Sequence, residues 1–353
     1  MKSKVSTYLA NSLLLISVFL FIFLVAEVIT RVVMPNFVMF RMMHQPDDKL
    51  GYRLVPKFEM IHKTSDYNVY VKINSAGLRD KEFPSDKDPD IYRILALGDS
   101  FTFGIGVNSE ETYPKFLETL LNQTPISSKL RKYEVMNAGV DGYGTEQEYT
   151  YLMELVTRYH PDLVIIGLYS NDIADVMQGI PSSNIRTKIK TNLYFLSYLR
   201  GMQILLEKRY NEKIFEKSMH IYEDDYSADF VKSINRTKEY LVKIRDLSRV
   251  NTAKTLILII PSCLEISRLE WEKKGLLHFY DDVFFKKNMS KFSDLFTEFG
   301  KTEKIDTLPL LPVFRNSTIG PLYFTKDMHL TKEGHRLAAE TIYTYLRKGN
   351  MNF

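Results

Sequence analysis

Four short apolar runs alternate with longer segments of helical periodicity, and this alternation limits the possible folds more than any other feature of the sequence. The runs are YRILALGD, YEVMNAGV, DLVIIGLY and KTLILIIP, each bounded by turn residues and rich in branched aliphatic side chains. Runs of this kind are typical of strands that are buried on both faces. Strands that alternate with helices predict an α/β fold, in which helices cover both faces of a parallel sheet.

The segments between the runs have the spacing of amphipathic helices. They include TYPKFLETLLNQ, TEQEYTYLMELVTRYH and, near the C-terminus, TKEGHRLAAETIYTYLRK. Between the third and fourth runs, residues 173–253 are too many for a simple crossover. FVKSINRTKEYLVKIRDLSR predicts the crossover helix, and the helical segment LYFLSYLRGMQILLEKRYNEKIFEK predicts a cap over the strand ends. We therefore expect a helical cap insertion at about residues 173–230.

The N-terminal segment predicts a membrane anchor over residues 1–34. Residues 9–29 carry no charge before Glu27. The length of this segment suits a helix crossing ~30 Å of hydrocarbon. Lys2 and Lys4 precede this segment, which predicts a single pass through the inner (cytoplasmic) membrane with the remaining chain on the extracytoplasmic side. A cleaved signal peptide is the alternative, but the apolar region is long and LVAEVITR contains no A-x-A-like cleavage site.

The chain between the anchor and the first apolar run predicts an arm rather than part of the main sheet. Residues 35–90 predict an extended, partly β arm, because YNVYVKIN alternates and SAGLRDKEFPSDKDPD is rich in turn residues. Residues 91–353 then form the main domain.

The composition excludes several other classes of protein. The net charge of +4, without a long basic run, argues against nucleic-acid binding. The single cysteine, Cys263, excludes an intramolecular disulfide and a cysteine-based zinc site.

Four motifs fall where predicted strands end, the edge at which parallel sheets gather active residues. They are GDS after the first run, NAGVDGYG after the second, SND after the third, and DMH near the C-terminus. A serine hydroxyl is a weak nucleophile until a base removes its proton. His329 is the candidate base for Ser100, and Asp327 is the candidate acid that orients the imidazole. Backbone N–H groups of Ser100 and Gly142, with the Asn171 amide, are candidate donors to an oxyanion.

These four blocks, in this order, resemble the SGNH (GDSL-type) hydrolases over residues 91–347, and the anchor, arm and insertion resemble the membrane-tethered bacterial branch of that family. The resemblance implies a flavodoxin-like three-layer α/β/α sandwich that uses no metal and no cofactor. It also implies the following roles: catalytic Ser100, Asp327 and His329, and oxyanion or substrate-binding Gly142 and Asn171. Gly142 is preferred to Gly139 because it lies five residues after Asn137.

Some of these residues have structural alternatives. Many relatives have the acid three residues before the histidine, where this chain has Lys326, so that Asp327 makes a D-x-H spacing. His335 competes with His329, but we expect it inside a helix that begins after Thr331. Asn171 also suits a helix N-cap, and Asp172 suits a structural role in binding loop N–H groups. The remaining loop glycines of the second motif, Gly139 and Gly144, have no assigned function.

The function predicted from the sequence is a membrane-anchored serine esterase that acts on an O-acyl or O-acetyl ester of a glycan or lipid. The expected partners are a small-molecule or glycan ester and the membrane, through the N-terminal helix. No nucleic acid is expected, and the sequence does not identify any protein partner. An O-acyltransferase with the same triad and a non-catalytic glycan-binding protein of the same fold are the alternatives. A metallophosphoesterase would need more Asp and His motifs than the chain contains.

Overall fold

A computed structural model describes residues 2–33, 40, 42–127, 132–181, 193–196, 198–199, 220–223, 225–267 and 287–350. The strands are β1 (His44–Asp47), β2 (Gly51–Leu54), β3 (Glu59–Lys63), β4 (Asn68–Lys72), β5 (Ile91–Gly98), β6 (Lys132–Gly139), β7 (Leu163–Leu168), β8 (Lys254–Ile259) and β9 (Asp306–Pro309). The helices are α1 (Lys2–Val33), α2 (Ser100–Phe103), α3 (Tyr113–Gln123), α4 (Thr145–Tyr159), α5 (Asp172–Gln178), α6 (Ala228–Val250), α7 (Cys263–Ile266), α8 (Lys291–Glu303), α9 (Leu311–Arg315) and α10 (Lys332–Tyr345).

The main domain is built on a parallel sheet with the strand order β6-β5-β7-β8-β9. This is the flavodoxin-like order, in which the chain reverses its direction across the sheet between β5 and β7. All residues of β5 and β7 are buried, as the continuous apolar runs predict for strands covered on both faces. The reversal leaves a crevice at the carboxyl ends of these two strands, and ligands bind at such a crevice in open α/β sheets.

Helices cover the sheet in two layers. α3 packs against α10 and β6, whereas α4 and α5 pack against α6, which also contacts β8. The buried side chains of α3, which include Leu117 and Leu121, lie on one face of the helix, as its periodicity predicts. The domain is therefore the α/β/α sandwich that the sequence predicts.

The N-terminal helix α1 stands apart from this core. The most apolar 18 residues of its segment Tyr8–Val33 have a mean hydropathy of 2.8, and only 11% of these residues are buried. It is long and apolar enough to cross a membrane. Near its end, the Glu27 carboxylate accepts hydrogen bonds from the backbone N–H groups of Tyr194 (3.2 Å) and Phe195 (2.9 Å).

The arm consists of two antiparallel hairpins, β1–β2 and β3–β4. The alternating sequence of YNVYVKIN predicts β4, and the structure contains a strand there.

The sequence pattern did not predict β9, the fifth strand of the main sheet, because its DTLP sequence is too short and polar to stand out. The predicted cap helix at 193–217 lies largely outside the described residues.

Candidate active site

Ser100 lies at the carboxyl end of β5, where the strand passes directly into α2. Asp99 caps this short helix, because its Oδ1 accepts a hydrogen bond from the Phe101 N–H at 2.8 Å. Asp99 is fully buried, and burial raises the pKa of its carboxyl to about 6. The Ser100 side chain starts the helix at the rim of the sheet and is 9% exposed.

Ser100, His329 and Asp327 form a continuous chain of hydrogen bonds. The Ser100 Oγ lies 2.8 Å from His329 Nε2, and His329 Nδ1 is hydrogen-bonded to Asp327 Oδ1. A carboxylate can only accept, so the Nδ1 proton points to Asp327 and the lone pair of Nε2 faces the serine hydroxyl. This is the tautomer that a general base needs. The structure thus brings together the three residues for which the sequence predicts catalytic roles.

Aromatic contacts fix the imidazole from one side. The Phe101 ring stacks on Tyr169 with 4.0 Å between centroids, and it lies 4.9 Å from the His329 ring. The His329 and Asp327 side chains are each about one-fifth exposed, at 21% and 22%. The aromatic rings therefore hold one side of the imidazole in place, and the His329 and Asp327 side chains remain partly open to a substrate.

The acid loop, which we define as residues 324–329, is held by contacts at both ends. At its base, the Phe324 N–H donates to the His329 carbonyl at 2.9 Å. At its tip, the Asp66 carboxylate accepts the N–H of Asp327, and the Tyr67 hydroxyl donates to Asp327 Oδ2 at 2.9 Å. Burial would raise the pKa of Asp327, but hydrogen bonds from His329 and Tyr67 outweigh burial and lower it. Sequence reasoning missed Asp66 and Tyr67, for which no motif gives a signal.

The loop after β6 carries Gly142 on the other side of the site. Gly142 has a φ of +76°, and a Cβ built on it would lie 2.7 Å from the Tyr52 hydroxyl. Tyr52 donates a hydrogen bond to the Asp141 carbonyl at 2.8 Å, and His44 Nε2 lies 2.7 Å from Asp141 Oδ1. Both hairpins of the arm therefore contact the site, one at the acid loop and the other beside Gly142.

Asn171 follows β7, the strand next to β5. Its Nδ2 donates to Asp99 Oδ2 at 3.0 Å, which ties the amide to the residue before Ser100. An amide nitrogen has two protons, so one remains for an oxyanion. Asn171 occupies the N-cap position of α5, but its side chain makes no capping hydrogen bond. Asp172 accepts the Tyr169 N–H at 2.8 Å, a bond that fits the structural role expected for it.

Buried acids beneath the site have raised pKa values. Glu148 and Asp172 are 1% and 0% exposed, and burial raises the pKa of each carboxyl well above its ordinary value. The charges of Asp99 and Asp175 add to this effect at both residues, and the charge of Glu148 adds to it at Asp172. Among the described residues, no group of three or more His, Cys, Asp or Glu side chains is arranged to hold a metal ion.

A hydroxyl, an imidazole and a carboxylate in series, at the reversal point of a parallel sheet, suit acyl transfer through a serine. The model of the GDSL-like lipase/acylhydrolase family matches residues 96–337, which contain all five predicted site residues. The chain belongs to this family. This GDSL hydrolase is accordingly an ester-hydrolysing enzyme. No hydrogen bond joins Gly142 or Asn171 to Ser100 within the part of the hydrolase that the structure describes.

Solved structures similar to the GDSL hydrolase include esterases of low sequence identity. The psychrotrophic esterase EstA from Pseudoalteromonas sp. is 16% identical, with a TM-score of 0.40, over 72% of this chain and 97% of the esterase. A catalytic mutant of Axe2, an acetylxylan esterase from Geobacillus stearothermophilus, is 14% identical, with a TM-score of 0.42, over 73% and 94%. A comparison with curated protein sequences finds no significant match.

Among the histidines in the described part of the GDSL hydrolase, His335 is the buried one, and its position separates it from His329. It lies in α10, four residues after the N-cap Thr331, and its Nδ1 accepts the Tyr113 N–H at 3.2 Å. Burial lowers the pKa of His335 to about 3, and the positive charge of Arg79 contributes. Its ring is thus neutral and structural at pH 7.

The lowered pKa of His335 predicts a pH-dependent loss of stability. Below the unfolded pKa of about 6.5, the unfolded chain binds a proton that the folded chain excludes, so stability falls as the pH drops toward 3. Between pH 7 and pH 5, wild type should lose about 2 kcal/mol relative to His335→Gln, which keeps an acceptor for Tyr113. Chemical denaturation of both proteins at the two pH values measures this difference. A difference that does not change with pH would contradict the assignment.

Gly142→Ala is expected to lower ester hydrolysis by about 10- to 100-fold, because the loop after β6 must shift and a misplacement of about 1 Å can cost about 10²-fold. The new Cβ meets the Tyr52 hydroxyl, and a φ of +76° is unfavourable for alanine. Adding Tyr52→Phe removes the clash and should restore part of the activity. Gly320→Ala is the control, since no atom lies within 4 Å of its Cβ position. Steady-state kinetics of the four proteins test the expectation, which fails if Gly142→Ala is as active as Gly320→Ala.

Proposed function

We propose that this GDSL hydrolase is a membrane-anchored serine esterase that cleaves an O-acyl or O-acetyl ester of a glycan or lipid on the extracytoplasmic side of the inner membrane. The observation that carries the proposal is the hydrogen-bond chain from Ser100 through His329 to Asp327. The five residues of the site have the following proposed roles: catalytic Ser100, His329 and Asp327, and oxyanion-binding Gly142 and Asn171.

The proposed reaction passes through an acyl-enzyme. His329 Nε2 takes the hydroxyl proton as Ser100 Oγ attacks the ester carbonyl, and the negative oxygen is stabilised by N–H donors. When the ester C–O bond breaks, His329 returns the proton to the departing alcohol. Water then attacks the acyl-enzyme with His329 as base; the acyl–Oγ bond breaks, His329 returns the proton to Ser100 Oγ, and the carboxylic acid leaves. Asp327 stabilises the imidazolium in both steps.

Two features of α1 bear on its role: the first argues against a core helix, and the second supports permanent anchoring over a cleaved signal sequence. Most of its apolar surface is exposed, so the helix is not a core element of the domain. The Glu27 carboxylate binds the backbone of Tyr194 and Phe195, so the helix belongs to the folded protein beyond its own span. Lys2 and Lys4 support an extracytoplasmic domain. An enzyme tethered in this way reaches esters of lipids and of glycans next to the membrane.

The test uses the full-length protein in detergent with a panel of nitrophenyl esters, from acetyl to long-chain, and acetylated sugars. We expect release of free acid and a transient mass increase on the peptide that contains Ser100. The assay is repeated with a glycan acceptor, and acylated glycan in place of free acid would identify an acyltransferase instead. Absence of both products, with no labelling of Ser100 by a fluorophosphonate, would favour the non-catalytic alternative.

A further inference from the structure

The turn between β3 and β4 contacts the acid loop through two consecutive residues, Asp66 and Tyr67. We propose that these are positioning residues for the triad, so that the N-terminal arm is part of the catalytic machinery; this inference rests on the proposed role of Asp327. Neither residue touches Ser100 or His329 by hydrogen bond within the described chain. Each acts through Asp327 or through the backbone that carries it.

Tyr67 binds the carboxylate oxygen that His329 leaves free. Its hydroxyl donates to Asp327 Oδ2 at 2.9 Å, while Oδ1 receives His329 Nδ1. The Tyr67 ring is 9% exposed and packs against His62 and Phe324, with centroid distances of 5.1 and 5.3 Å. Because the ring cannot move freely, its hydroxyl lies at a defined point. Two donors on opposite oxygens then prevent the carboxylate from rotating away from the imidazole.

Asp66 holds the backbone of the same loop. Its Oδ2 accepts the N–H groups of Lys326 and Asp327, at 2.8 and 3.1 Å. The next residue, Met328, has a φ of +69°, a left-handed conformation that is unfavourable for a non-glycine residue. Such conformations persist where surrounding contacts enforce them. The Asp66 carboxylate supplies contacts of this kind immediately before Met328, and these stabilise the turn that joins the acid to the histidine.

Asp66 and Tyr67 lie outside the part of the chain that the family model matches. The match to the family model covers residues 96–337 and begins after the arm. The acid in this chain lies two residues before the histidine, in the D-x-H spacing, and its loop is supported from outside the matched region.

The test measures the rate at which a fluorophosphonate labels Ser100 in the full-length protein, which requires no knowledge of the natural substrate. Tyr67→Phe removes only the hydroxyl and is expected to lower the labelling rate about tenfold or more, as for a lost hydrogen bond to a charged group. Tyr70→Phe is the matched control, because Tyr70 lies in the same hairpin and donates to the exposed Glu59. Labelling of Tyr67→Phe within twofold of Tyr70→Phe would overturn the proposal.

A double variant separates positioning from a general structural role. In an Asp327→Ala background, followed at high probe concentration, Tyr67→Phe should cause no further decrease, because its partner is absent. Full additivity would show that Tyr67 acts through the fold and would contradict the proposal. Asp66→Ala should also slow labelling, whereas Asp66→Asn, which keeps an acceptor oxygen, should restore most of the rate. Equal rates for these two variants would remove Asp66 from the proposal.

Failure of the proposed function has a different signature. If wild type is labelled at Ser100 and the variants follow the expected order, but no ester in the panel is hydrolysed, the positioning roles stand and the esterase proposal fails. If esters are hydrolysed and Tyr67→Phe is as fast as wild type in both assays, the esterase proposal stands and the positioning role fails.

Discussion

Replacement of Ser100 by alanine should lower kcat for ester hydrolysis by about 10⁶-fold, the loss measured when the nucleophile of a serine triad is removed. The physical reason is that no other hydroxyl in the described site is hydrogen-bonded to His329 Nε2. Without Ser100 Oγ, the acyl group cannot be transferred to the enzyme, and only binding and oxyanion stabilisation remain. Hydrolysis of the best ester in the panel, with active-site titration of wild type, gives the ratio.

Ser109→Ala is the matched control for this loss. Ser109 lies nine residues after Ser100, and its Oγ makes only a long hydrogen bond to the Arg79 carbonyl, at 3.4 Å. We expect its activity to stay within about twofold of wild type, and both variants to keep the wild-type melting temperature. Activity of Ser100→Ala within tenfold of wild type would refute the nucleophile assignment, whatever the substrate.

Arg79→Met is expected to lower the free energy of unfolding by about 3 kcal/mol or more, because several buried carbonyl groups lose their donor. Arg79 is 0% exposed, and its guanidinium donates to the carbonyls of Phe103, Gly104 and Val107. Burial lowers the pKa of Arg79 to about 10, so it stays protonated at neutral pH. No acid is hydrogen-bonded to this guanidinium in the described chain; besides the loop carbonyls, the Phe103 ring at 4.7 Å and the charges of Glu110 and Glu111 stabilise it.

The same substitution should also reduce activity, since two of the three carbonyls belong to the turn that ends α2, the helix that Ser100 begins. Arg336→Met provides the comparison: Arg336 is partly exposed, pairs with Glu333 and Glu340 on α10, and should change stability by less than about 1 kcal/mol. Denaturant unfolding of the three proteins in the same detergent measures both effects. Equal stability of the two variants would show that the loop is held by other contacts.

The sequence alone was sufficient to predict four of the five strands of the sheet and three motif positions at its edge. Continuous apolar runs can only be strands buried on both faces or buried helices, and their length with flanking turn residues selects strands. Parallel strands place their carboxyl ends together, so Ser100, Asn171 and the loop of Gly142 follow directly from the strand assignments. The strand β9 escaped prediction because four partly polar residues carry no periodic signal.

The tertiary structure alone decided how the acid is held. The bonds from Asp66 and Tyr67 to Lys326 and Asp327 span about 260 positions of the chain. Local propensity and periodicity describe neighbours within a few residues, and they contain no information on which distant hydroxyl will meet a given carboxylate. The same holds for Tyr52 beside Gly142 and for Arg79 beneath α2. The sequence therefore determined the sheet and the identity of the reactive groups, and the packing of the arm on the domain determined how these groups are positioned.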